Sequence, residues 1–287
     1  MSDPAHPLLA DRDALALRLA EAARLSGAVL LAMRAARDVT LKPDGSPVCS
    51  ADLAADRAAK AALARLLPDV PVVSEESVGE APPGAVFILL DPLDGTREFL
   101  AGGESYCVAI AAIADGRPVA GAICAPQLGR LWYAGSRAHA QAIGPDGAPA
   151  GPAETIRARP EPGDGPVALV SRFHGDPVSE ETCAALATSR DIAMSSAVKF
   201  GLIAAGEADL HVRAGPTMEW DIAAGDAILS AAGGVIRLLD GALPRYGRTL
   251  EGYRNPPFVA AGSEALAQRA IAAARAGRDA VSGRKAV

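Results

Sequence analysis

The stretch Val86–Arg97, "VFILLDPLDGTR", decides the fold of this chain. Five apolar residues, two of them β-branched, read as a buried strand. The run then stops at Asp91 and Asp94, with Pro92 and Gly95 bending the chain around them. Two like charges at the mouth of a buried strand repel each other, and burial raises their pKa values, unless a cation neutralises them. The same arrangement recurs. Glu75 and Glu76 follow the apolar "VPVV", and Asp221 follows Trp220 at the head of a small-residue helix. Three segments therefore deliver carboxylates from the ends of buried elements. If they converge, such hard oxygen donors suit magnesium, which keeps waters and shares phosphate oxygens.

The rest of the 287 residues bounds what surrounds this cluster. Half are hydrophobic but only 4% aromatic, so Ala, Val and Leu fill the core. The net charge of −6 argues against nucleic-acid binding driven by net charge. Cys49, Cys107, Cys124 and Cys183 form no C-x-x-C pair and read as reduced, buried thiols. The N-terminus lacks the pattern of a signal peptide, and no apolar run reaches membrane-spanning length. The expectation is a cytoplasmic protein with no integral membrane segment. A homodimer and peripheral association with the inner membrane are left open.

Periodicity predicts helices over about Asp11–Ala36 and Asp52–Leu67, the second with Ser50 as N-cap. "YCVAIAAIADGRPVAGAICAP" and "RLWYAGSRAHAQAIG" each read as a pair of strands. The Gly/Pro-rich stretch "GPDGAPAGPAETIRARPEPGDGP" is the natural lobe junction, or a loop around one edge strand. The division expected is an N-terminal α/β lobe over 1–150, a C-terminal α/β lobe over 151–272, and a flexible tail over 273–287.

Taken singly, each acid has a plain structural explanation: Asp at a helix start is commonly an N-cap, and Asp-Pro and Asp-Gly form turns anywhere. Together they carry a resemblance. "DPLDGT" (Asp91–Thr96), "WDIAAGDAILSAAGG" (Trp220–Gly234) and "SEES" (Ser74–Ser77) resemble, in order and spacing, the signatures of the lithium-sensitive, magnesium-dependent phosphatases of the inositol monophosphatase superfamily. The resemblance implies an α+β fold, a layered αβαβα sandwich. It implies that Glu75, Asp91, Asp94, Asp221 and the Leu93 carbonyl hold two or three magnesium ions, with Asp91 bridging two. Asp52 and Thr96 would orient or deprotonate the attacking water, with Glu75 part of the catalytic set. Gly95 and Thr96 would meet the phosphate through backbone N–H groups, and Glu76 would stand behind the ligands. Cys49 occupies a position where the family usually has Thr or Ser.

Four further stretches resemble the 3′(2′),5′-bisphosphate nucleotidase (CysQ-type) branch: "DGTREF", "SRFH" (Ser171–His174), "SSAVKF" (Ser195–Phe200) and "RAGPTMEWD" (Arg213–Asp221). That branch implies a bisphosphorylated nucleotide as the small-molecule partner and a place in sulfur metabolism. Its 3′-phosphate would sit on the metals beside Asp221. Its 5′-phosphate would meet Lys199 and Arg213, with Ser196 donating a hydrogen bond and His174 contacting the nucleotide. The expected reaction is hydrolysis of adenosine 3′,5′-bisphosphate to AMP, and also of 3′-phosphoadenylyl sulfate. The competing expectations are an inositol-1-monophosphatase or other sugar phosphatase of the same fold, and a non-catalytic anion- or metal-binding regulator.

Overall fold

A computed structural model describes residues 10–36, 38–42, 45–78, 84–173 and 175–284, with side chains to residue 278. Elements are numbered along the chain. Helices α1 (Arg12–Ala32) and α2 (Ser50–Leu66) form the first layer. Below them lies a seven-stranded sheet in sequence order, β3 to β9. Its strands are β3 (Val72–Ser74), β4 (Val86–Asp94), β5 (Cys107–Ala114), β6 (Arg117–Ala125), β7 (Arg130–Ala134), β8 (Ala138–Ala142) and β9 (Glu154–Thr155). Helices α5 (Val198–Ala204) and α6 (Glu219–Ala231) make the middle layer. A five-stranded sheet follows, in the order β11 (Arg190–Met194), β10 (Val167–Ser171), β12 (Leu210–Arg213), β16 (Phe258–Ala261), β14 (Val235–Leu238). Helices α4 (Pro177–Ala185) and α7 (Glu264–Arg284) close the far side. Two short ribbons pair β1 (Thr40–Leu41) with β2 (Pro47–Val48) and β13 (Thr217–Met218) with β15 (Arg254–Asn255). The expected αβαβα sandwich is the observed architecture.

Strand β4 shows how the sequence builds these layers. Ile88 and Leu90 pack among α1 and α2, whereas Phe87 and Leu89 pack toward α5 and α6. A strand covered on both faces needs an unbroken apolar run rather than alternation, and "VFILL" supplies one. The third core lies between the five-stranded sheet and helices α4 and α7.

Three expectations are corrected. The expected tail continues α7 through Arg284, and the helix is anchored just before and within it by buried Leu266, Ala267, Ala270, Ile271 and Ala274 at helical spacing. Its Ala and Arg residues are good helix formers; residues 285–287 lie outside the described residues. The seven-stranded sheet crosses the boundary at 150, since its last strand β9 is Glu154–Thr155, and α6 of the C-terminal half lies on that sheet, so the halves share a layer. The N-cap of α2 is Cys49, not Ser50, because Asp52 at the third helical position accepts from the Cys49 N–H at 2.8 Å. Ser50 instead bonds Asp38.

Candidate active site

The acids converge because β3 and β4 are parallel neighbours, with Ser74 opposite Leu90. Their C-terminal ends lie side by side, and the Glu75 N–H donates to Leu90 O at 3.0 Å. On β4, Asp91 pairs with Ala109 and Asp94 with Cys107, three residues against two. This is a β-bulge, one extra residue in the strand. Without it, residues three apart would face opposite sides of the sheet. With it, Leu93 turns into the α1–α2 core, and Asp94 reaches the middle layer, where its Oδ2 accepts from the Ala197 N–H at 2.5 Å. Gly95 then takes φ +93°, a conformation L side chains rarely adopt, and opens the short helix α3 (Thr96–Leu100).

Asp221 arrives from the opposite layer, at the third position of α6, and accepts from the Met218 N–H at 2.7 Å. Glu75, Asp91, Leu93, Asp94, Gly95, Thr96, Ser196, Lys199, Arg213 and Asp221 all line one cleft of about 820 Å³. Asp52 sits behind it, buried, its Oδ1 accepting from the Thr96 hydroxyl at 3.1 Å. The same hydroxyl lies 3.3 Å from Leu93 O. The structure thus gathers every predicted site residue except His174, which lies outside the described residues.

The acids destabilise one another's charge. Burial, then Glu75, Asp94 and Asp221, push Asp91 well above the usual carboxylate range. Burial, then Asp94 and Glu75, do the same to Asp221. Asp94 is pushed up to about 6 by burial, with Lys199 and the Ala197 N–H opposing. Each is tied by one oxygen to a backbone N–H, and no donor among the described residues reaches the other oxygen of Asp91, Asp94 or Asp221. Among the described residues no three His, Cys, Asp or Glu close around a point by themselves. Oxygen-only donors on an open cleft, each with an oxygen to spare, fit a hard cation that keeps waters and shares ligand oxygens.

Beyond the acids stand two buried cations. Lys199 is 6% exposed, and its ammonium donates to Ser196 O at 2.7 Å. Burial, with Arg213 nearby, lowers its pKa to about 8, while Asp94 opposes. Arg213 is 8% exposed and donates to Ser171 Oγ at 3.2 Å and Pro216 O at 3.0 Å.

Sequence reasoning missed two partners. Lys42 binds Glu75 at 2.7 Å and Glu76 at 2.8 Å; "LKPDG" reads only as a turn, and nothing local marks its lysine. Glu98 is buried and lines the cleft. Its position served only as a branch marker, because nothing local says that a Glu after an exposed Arg97 points inward.

The profile of the inositol monophosphatase family matches residues 12–278, and the chain belongs to that family. Within it the chain falls with the CysQ branch. The 3′(2′),5′-bisphosphate nucleotidase CysQ of Escherichia coli K12 is 36% identical over 228 residues, 77% of this chain and 87% of that protein. Its counterpart in Salmonella typhimurium is 37% identical over 223 residues, 76% and 86% of the two chains. CysQ from Bacteroides thetaiotaomicron superposes with a TM-score of 0.69 at 29% identity, covering 85% of this chain and 96% of that one. The Thermotoga maritima IMPase reaches 0.74 at 21% identity, covering 91% and 97%, a likeness of fold.

Proposed function

We propose that the protein is a magnesium-dependent phosphatase that hydrolyses the 3′-phosphate of adenosine 3′,5′-bisphosphate to give AMP, and accepts 3′-phosphoadenylyl sulfate as well. The observation that carries this reading is the make-up of one cleft, which is lined both by the oxygen donors and by two buried cations, Lys199 and Arg213. A bisphosphorylated nucleotide brings a second phosphate for Lys199 and Arg213 to meet beside the carboxylates they already face, and a monophosphorylated sugar does not.

Glu75, Asp91, Asp94, Asp221 and the Leu93 carbonyl would hold magnesium. When bound, magnesium acidifies water and neutralises charge on the phosphoryl group. The chain's own residues do the positioning. The Thr96 hydroxyl donates a hydrogen bond to Asp52, which leaves its lone pairs to accept from a water in the cleft. Asp52 is held by the Cys49 N–H at 2.8 Å and Sγ at 2.9 Å on its other oxygen. Cysteine thus serves where Ser or Thr was expected. Burial raises the Asp52 pKa, against the Cys49 hydrogen bonds, and so moves it toward the range of a useful general base. The N–H groups opening α3 meet the transferred phosphate, and Lys199, Arg213 and Ser196 meet the 5′-phosphate.

Lys199→Met tests the second half of this reading, since it keeps the aliphatic stem and removes the charge. It should weaken binding of adenosine 3′,5′-bisphosphate by roughly ten- to a hundredfold. Binding of 3′-AMP, which lacks the 5′-phosphate, should change far less. Equal weakening of both, measured as KM, would show that Lys199 does not read the 5′-phosphate.

A further inference from the structure

Glu98 is only 1% exposed, yet it follows an exposed arginine in α3, where both line the cleft. Its Oε1 accepts from Arg172 Nη1 at 2.7 Å and its Oε2 from Ser195 Oγ at 2.9 Å. The Ser105 N–H approaches Oε1 at 3.5 Å, while Ser105 Oγ accepts from the Ser195 N–H at 3.2 Å. Burial opposes its charge, but Ser195, Ser105 and the Arg172 guanidinium together hold the carboxyl below its ordinary value. Gly103 passes so close that a Cβ there would overlap the carboxyl group. The seat is shaped for this side chain.

What its partners hold matters more. Ser195 precedes Ser196, which takes φ +60° without being glycine. Such a conformation persists only where its surroundings enforce it. The Ser196 carbonyl in turn accepts from Lys199 Nζ. On the other side, Arg172 follows Ser171, whose hydroxyl accepts from Arg213, and Arg172 Nη2 donates to Ala193 O at 3.1 Å. Lys199 and Arg213 therefore rest on two loops, and both loops are tied to Glu98, two residues beyond Thr96.

We propose that Glu98 is a positioning residue that fixes the spacing between the hydrolytic end of the cleft and the two cations, and so sets the preference for bisphosphorylated over monophosphorylated nucleotides. This rests on the substrate reading above. Both Glu98 oxygens are engaged by the protein, so it acts through Ser195 and Arg172. Both carboxylate oxygens are used, one by a guanidinium and one by a hydroxyl. Glutamine would set an amide NH₂ against one of these donors.

Glu98→Gln and Arg172→Ala are to be compared with the wild type on adenosine 3′,5′-bisphosphate and on 3′-AMP. Each variant should raise KM for the bisphosphate about tenfold or more. For 3′-AMP, kcat and KM should stay within about twofold, and the double variant should be no worse than the poorer single one, as members of one network behave. The Arg172 side chain is 44% exposed, so its removal tests the link even if Glu98→Gln fails to fold. A wild type that prefers the bisphosphate, with variants that lose both substrates equally or neither, would overturn the role of Glu98 alone. A wild type without that preference would overturn the substrate reading and this one with it.

Discussion

Asp52 and Asp221 occupy the same place in two helices, the third position, and each accepts the N–H of its own N-cap residue. The structural explanation holds for both, and it leaves room for the proposed functional one. One oxygen closes a capping box, and the other is left for the role proposed above. Asp91 and Asp94 divide their oxygens likewise between a backbone N–H and the cleft. Such acids are rigid, and their charge is what remains unresolved. The pKa of Asp94, about 6, lies above its ordinary 3.8, so the metal-free fold binds this proton more tightly than the unfolded chain does. Its contribution to stability is present below pH 4 and is lost as pH rises toward 6. A divalent cation needs the ionised form, so its affinity must weaken as pH falls through 6. At a hundred times its Kd, magnesium stabilises by about 2.7 kcal/mol, a rise in Tm of roughly 5–10 °C. That shift should appear at pH 7.5, shrink at pH 5, and be largely abolished in Asp94→Asn at both. A shift of the same size at both pH values in the wild type would contradict the assignment.

Elements, rather than residues, decide how closely the two sheets approach the middle layer. Gly225 of α6 lies against Phe200 of α5, and a Cβ there would overlap the phenyl ring. Gly225→Ala should therefore destabilise by about 1–3 kcal/mol through overpacking, read as a lower urea midpoint with unchanged slope. An unchanged midpoint would show that α5 has room to move. The sequence stretch "WDIAAG" named this glycine without explaining it, since the residue that needs the space lies 25 positions away in the chain. The same limit runs through the site. Strand β4 and its two acids were readable from an apolar run that ends in "DPLDGT", because burial and turn chemistry are local. The bulge that puts Asp91 and Asp94 on one face was not, since it exists only as a register against β5. Likewise Cys49 took the capping place expected of Ser50, because the Asp52 side chain selects which residue it caps. Arg97 marked the branch in the sequence, whereas its buried neighbour Glu98 makes the contacts.

At the scale of the molecule, the five layers explain why one cleft holds both chemistries. The seven-stranded sheet brings Glu75, Asp91 and Asp94 to one edge. The middle layer contributes Asp221 from the head of α6 and Lys199 from α5, and β12 of the second sheet ends at Arg213. On the proposed reading, the substrate-selecting residues come mainly from the second half of the chain and the metal ligands mainly from the first. Among the described residues no helix is long and apolar enough to cross a membrane. The central claim is that this cleft removes one phosphate while gripping another. Phosphate release from adenosine 3′,5′-bisphosphate and from inositol 1-phosphate, compared as kcat/KM with excess magnesium and again with a chelator, tests it most directly. The nucleotide should be the better substrate by about tenfold or more, the order expected for one added charge-assisted contact, and the chelator should abolish both activities. Faster turnover of inositol 1-phosphate, or nucleotide hydrolysis that persists in the chelator, would contradict it.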